Sequence, residues 1–118
     1  MILVDTSIWI DHLNNSNAEL IKLLNSNRVC IHPFIIGELS CANISNRKEI
    51  LSLLNDLPHI EPALEEEVFT LIENEKLFGI GLGFVDVNLI ASALIHDVKM
   101  WTYDKYLKKI AKKLDIHK

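Results

Sequence analysis

Three short apolar runs, residues 2–4, 29–31 and 100–103, are separated by stretches far too long to be hairpin loops. Between them the apolar residues recur at helical spacing instead. Residues 8–13 and 18–24 read as two short helices, the second with Leu20, Leu23 and Leu24 inward. Pro33 opens a third helix that runs to about Ala42, because a proline's missing N–H costs nothing in a first turn. Residues 47–54, 63–78 and 85–96 carry further helical patterns, and Leu107, Ile110, Ala111 and Leu114 form a clean stripe on a last helix. Pro58 and Pro62 bracket His59-Ile60-Glu61, an edge strand or a turn. Strands alternating with helices call for a parallel sheet covered on both faces, an α/β three-layer sandwich. In such sheets the functional crevice lies at the carboxyl ends of the strands.

The 118 residues suffice for one domain, residues 1–118, with a real core and no disulfide or metal staples. Hydrophobic residues make up 49% and charged residues 24%, the balance of an ordinary globular protein. The N-terminus has no basic region and meets Asp5 too early for a signal peptide. No apolar run approaches the roughly 20 residues of a membrane span, so a cytoplasmic protein away from membranes is expected. Cys30 and Cys41 have no metal or redox spacing and sit in apolar segments, which reads as two buried thiols. The net charge of −4 is unevenly spread. Residues 99–118 hold seven lysines against Asp104 and Asp115, a local +5 that leaves −9 on the rest of the chain. Such asymmetry sets a basic ridge beside an acidic pocket.

Acids stand where the sheet argument says to look. Asp5 closes the first strand and Asp104 directly follows the last. Glu38 shares a helical face with Phe34, Cys41 and Ala42, and Asp86 shares one with Leu89, Ile90 and Ala93, so both interrupt apolar stripes. Each has a local alternative. Asp5 and Asp104 can cap the helices that follow them, Asp86 suits the positive end of its helix, and Glu38 could pair with a base. As a set of four aimed at one edge they suggest something more. Gathered carboxylates repel one another, and a hard divalent cation relieves the repulsion; oxygen donors suit Mg²⁺ or Mn²⁺. His12, His32, His59, His96 and His117 are scattered without zinc-site spacing.

At these residues the sequence resembles the PIN-domain family, and within it the VapC-like ribonuclease toxins of toxin–antitoxin pairs. Residues 1–13, opening Met1-Ile2-Leu3-Val4-Asp5-Thr6-Ser7, are similar to the family's first motif, and Gly37-Glu38-Leu39 to its second. Residues 83–93 around Asp86, and Trp101-Thr102-Tyr103-Asp104-Lys105, resemble the third and fourth. The likeness implies an acidic quartet of Asp5, Glu38, Asp86 and Asp104, with Asp5 and Asp86 as principal ligands of Mg²⁺ or Mn²⁺. It implies that Thr6 or Ser7 hydrogen-bonds a ligand or phosphate. It also implies an RNA substrate, a homodimer and an antitoxin protein that covers the site.

Lys105, Lys108 and Lys109 on the last helix would then hold flanking phosphates, unless they are only the solvated face of an amphipathic helix. The apolar residues Ile8, Trp9, Ile10 and Leu13, with Phe34, Ile35 and Ile36, suggest either core or a partner groove. Two rival functions remain. A phosphatase or phosphotransfer domain also places an acid after its first strand, but the dehalogenase pattern wants a second Asp where Ser7 stands. A receiver domain wants adjacent early acids and a late lysine after a strand. The other rival is an RNA- or metal-binding module without catalysis.

Overall fold

The computed structural model describes all residues, Met1–Lys118. Three parallel strands form one sheet, β1 (Ile2–Val4), β2 (Val29–Cys30) and β3 (Lys99–Trp101), in the order β2-β1-β3. Ile2 pairs with Val29 on one side and with Lys99 on the other, and Val4 pairs with Trp101. Successive strand residues point to opposite faces, yet Ile2, Leu3 and Val4 are all buried. Both faces of the sheet are therefore covered, which is why β1 is apolar at every position. The sheet grows by one bridge at each edge, Ile31 to His59 and Met100 to His117, both parallel. The segment between Pro58 and Pro62 is thus an edge contact of a single residue.

Seven helices cover the sheet: α1 (Thr6–Asn15), α2 (Ala18–Asn25), α3 (Pro33–Ser40), α4 (Arg47–Asn55), α5 (Glu65–Glu75), α6 (Phe84–His96) and α7 (Lys105–Lys113). Helix α6 is buried from Val87 to Ala93 and forms the centre of the core beside Leu3, Ile8, Ile35, Leu39 and Met100. In α7 only Leu107, Ile110 and Ala111 are buried, as its stripe requires. The α3 N-terminus is capped by His32, whose Nδ1 accepts the Phe34 N–H at 3.0 Å. Nε2 therefore carries the proton and donates to Ser92 Oγ at 3.1 Å, and the same oxygen accepts the Ala63 N–H at 2.9 Å. Burial, and secondarily the charge of His96, lowers the His32 pKa from 6.5 to about 4. No helix is long and apolar enough to cross a membrane.

Two expectations are corrected. Cys30 is buried, but Cys41 is exposed at the C-cap of α3, where the chain turns away from the core. The inward face of α3 is Ile35 and Leu39, not Phe34, Glu38, Cys41 and Ala42. The helix is apolar on nearly every side, so its periodicity offers two faces and packing against α1 and α4 selects one. Ile8, Trp9 and Ile35 belong to the core. Trp9 and Leu13 also border an apolar cleft of about 300 Å³ with Leu24, Ile50, Leu53 and Leu57.

Candidate active site

Asp5 lies one residue beyond β1, and its backbone prolongs the ladder by donating to the Trp101 carbonyl at 2.9 Å. Its own carbonyl accepts the Ile8 and Trp9 N–H groups, which starts α1. The carboxylate sits at the N-cap position but caps nothing. Instead Oδ2 accepts two hydroxyls, Ser7 Oγ at 2.9 Å and Thr102 Oγ1 at 2.7 Å. Both hydroxyls are held from behind: Ser7 accepts the Tyr103 N–H, and Thr102 accepts the Asp104 N–H, each at 3.0 Å. One oxygen of Asp5 thus ties the corner after β1 to the corner after β3. Asp5 is only 7% exposed and Thr102 not at all.

The other three acids accept one hydrogen bond each. Asp104 caps α7, with Oδ1 accepting the Leu107 N–H at 2.9 Å. Asp86 reaches back from the first turn of α6, with Oδ2 accepting the Gly83 N–H at 3.0 Å. Glu38 is exposed on α3, and its Oε1 accepts the Thr6 hydroxyl at 2.7 Å. It faces an open groove of about 620 Å³ formed with Phe34, Gly37 and Val85. Capping and clustering are therefore compatible. Each of the four carboxylates commits one oxygen to the protein and leaves the other, Asp5 Oδ1, Asp104 Oδ2, Asp86 Oδ1 and Glu38 Oε2, without a hydrogen bond.

Charge couples the group. The Asp86 carboxyl is raised above its ordinary pKa, first by burial and then by the charges of Asp5 and Asp104, with the Gly83 N–H opposing. No base relieves them, for the chain's one ion pair joins Lys118 to Glu19 elsewhere. Three carboxylates in one field, with hard oxygens unbonded and no counter-cation, fit a divalent metal by donor chemistry. They do not form a finished coordination shell, as no three acidic, histidine or cysteine side chains stand close enough to grip an ion together. Glu38 is linked to the others only through Thr6, the neighbour of Asp5.

Thr102 is the residue that sequence reasoning passed over. With the last strand read as residues 100–103 it looked like strand filling, whereas β3 ends at Trp101 and Thr102 starts the site. The signal was available in Trp101-Thr102-Tyr103-Asp104, a hydroxyl two residues before an acid, mirroring Asp5-Thr6-Ser7. The α7 lysines divide. Lys105 Nζ stands 5.0 Å from the centre of the Tyr106 ring, Lys109 borders a groove between α5 and α7, and the charge of Lys108 is felt at His117.

The chain also matches known proteins. The family model described as PIN domain matches residues 2–113. The chain is 43% identical over 109 residues to Ribonuclease VapC32 of Mycobacterium tuberculosis strain CDC 1551 / Oshkosh, covering 92% of this chain and 88% of that one. The protein of the same name from strain ATCC 25618 / H37Rv matches with the same identity and coverage.

Proposed function

This chain belongs to the PIN domain family, and from that premise we propose that it is a metal-dependent endoribonuclease, the toxin of a toxin–antitoxin pair. Residues 1–118 act as one nuclease unit in the cytoplasm. The observation that carries the catalytic reading is the set of four carboxylates, each with one oxygen fixed by the fold and one unbonded.

Asp5 and Asp86 would hold Mg²⁺ or Mn²⁺ through their unbonded oxygens. When bound, such a cation lowers the pKa of a coordinated water and polarises the phosphodiester. Ser7 and Thr102 fix the plane of the Asp5 carboxylate, so its free oxygen is preorganised rather than mobile. Glu38 or Asp104, each with one uncommitted oxygen, orients the attacking water and accepts its proton. The water oxygen bonds to phosphorus in line with the breaking bond to O3′. The O3′ leaves and takes a proton, giving a 5′-phosphate and a 3′-hydroxyl. Thr6 holds Glu38 to the mouth of the site.

A homodimer and a cognate antitoxin are part of the same reading. The exposed apolar residues Phe69, Phe84, Leu94 and Ile95 support the first. The cleft beside Trp9 and Leu13 is compatible with the second. The test is incubation of partner-free protein with structured RNA and Mn²⁺, with and without a chelator, for the parent and Asp5→Ala. Cleavage is expected only in the metal-loaded parent. Cleavage that persists in Asp5→Ala sinks the proposal, and hydrolysis of aryl phosphates with RNA spared moves the chain to the phosphatases.

A further inference from the structure

Helix α7 carries its lysines in two adjoining rows. Lys105, Lys109 and Lys113 repeat at i, i+4 and i+8 along one edge of the polar arc, and Lys108 and Lys112 lie toward its other edge. Burial first, and then the charges of Lys108 and Lys112, hold the His117 imidazole below its ordinary pKa. Lys109 and Lys113 border a groove of about 530 Å³ between α7 and the end of α5. Its walls are Ile80, Tyr106 and Ile110, and its rim carries Lys76, Lys109 and Lys113 against a single acid, Glu75, with the amide of Asn74 beside them.

The groove is held in shape by backbone. Gly81 has φ +90, and a Cβ there would meet the Tyr106 ring carbons at 3.0 Å, so the glycine loop closes directly onto the ring. Lys76 is fixed in the left-handed conformation that ends α5. The groove shares α7 with the site: Asp104 caps that helix, and Lys109 stands five residues, about 7.5 Å of helical rise, beyond it. Three ammonium groups at the rim of an apolar-walled slot, Lys109 and Lys113 one turn apart on the helix that Asp104 caps and Lys76 at the end of α5, match a polyanion with flat bases.

Resting on the ribonuclease reading above, we propose that this groove is a subsite for the RNA strand flanking the scissile bond, with Lys76, Lys109 and Lys113 on its phosphates and Ile80, Tyr106 and Ile110 against a base. Lys108 and Lys112 lie outside it. Lysine contacts to phosphate release counterions, so each contact contributes about 0.7 to the dependence of binding on salt for a single strand.

The experiment measures binding of a short fluorescent single-stranded RNA to Asp5→Asn protein, which keeps the fold's acid position without cutting, across a salt series in Mg²⁺ buffer. Lys109→Gln/Lys113→Gln in that background should weaken binding and lower the log–log salt slope by about 1.4, while Lys108→Gln/Lys112→Gln leaves both near the parent values. Lys76→Gln, from the opposite wall, should lower the slope by about 0.7. Equal losses from the two lysine pairs would mean a diffuse basic field and overturn the subsite, as would no loss from Lys109→Gln/Lys113→Gln with native circular dichroism. If the Asp5→Asn protein binds no RNA and the parent cuts none, the ribonuclease reading falls and takes the subsite with it.

Discussion

Replacing Thr102 by valine removes one oxygen from the interior and almost no volume. Thr102 is fully buried, and its Oγ1 both donates to the Asp5 carboxylate at 2.7 Å and accepts the Asp104 N–H at 3.0 Å. A hydrogen bond to a charged group is worth about 1.5–3 kcal/mol, and a stranded donor costs about 1–3 kcal/mol more. Ser7 still serves Asp5, and the Asp104 amide is partly open to water, so the lower half of that range applies. The expected loss for Thr102→Val in metal-free protein at neutral pH is about 3 kcal/mol, or roughly 10 °C in Tm for a chain of this size. Thr102→Ser keeps the oxygen and gives up one methyl, a loss of about 1 kcal/mol. Packing alone predicts the opposite order, since valine fills the space and serine leaves a void. Urea unfolding of the three proteins decides between them, and titration calorimetry with Mn²⁺ reads the second consequence. With Asp5 less firmly held, Thr102→Val should bind Mn²⁺ more weakly than Thr102→Ser. A valine variant as stable as the serine variant, with parental Mn²⁺ affinity, would refute the role assigned to this hydroxyl.

Asp86 should behave in the opposite sense. Its folded pKa is raised, so ionisation at neutral pH costs stability that the neutral amide avoids, while an asparagine oxygen still accepts the Gly83 N–H. Metal-free Asp86→Asn should therefore show a higher urea midpoint than the parent yet lose the Mn²⁺-induced stabilisation, which for the parent reaches about 2.7 kcal/mol at a hundredfold excess over Kd. A lower metal-free midpoint would contradict this. His32 supplies a pH dependence. It binds its proton at about 4 in the fold and 6.5 unfolded. Stability present above 6.5 drains as pH falls toward 4, by about 3 kcal/mol in all, because the unfolded chain takes up the proton first. In His32→Asn, which retains an acceptor for the Phe34 N–H, urea midpoints between pH 7 and pH 4 should change less steeply; an equally steep profile would assign the effect elsewhere.

The parallel order was legible because β1, β2 and β3 are short, apolar on both faces and separated by helical patterns. Asp5 and Asp104 were legible because they end strands. What periodicity could not decide was α3, where Phe34, Ile35, Ile36 and Leu39 leave no polar side to set its rotation, so Glu38 was read as inward when it is exposed. Cys41 was misplaced for the same reason. Nor could the sequence separate a cap from a site residue at Asp86 and Asp104, since each carboxylate has two oxygens and the backbone uses one. Thr102 was hidden by a boundary error of two residues at the end of β3.

The place of β1 in the middle of the sheet bears on how such a protein is made. It leaves the ribosome before β2, which follows soon enough to pair with it. Its other neighbour does not yet exist. One of the two hydroxyls that anchor Asp5 comes from a residue 97 positions later, so a nascent chain carries the acid and Ser7 long before it carries Thr102. Order of synthesis thus leaves the corner after β1 half-anchored until the last strand joins the sheet.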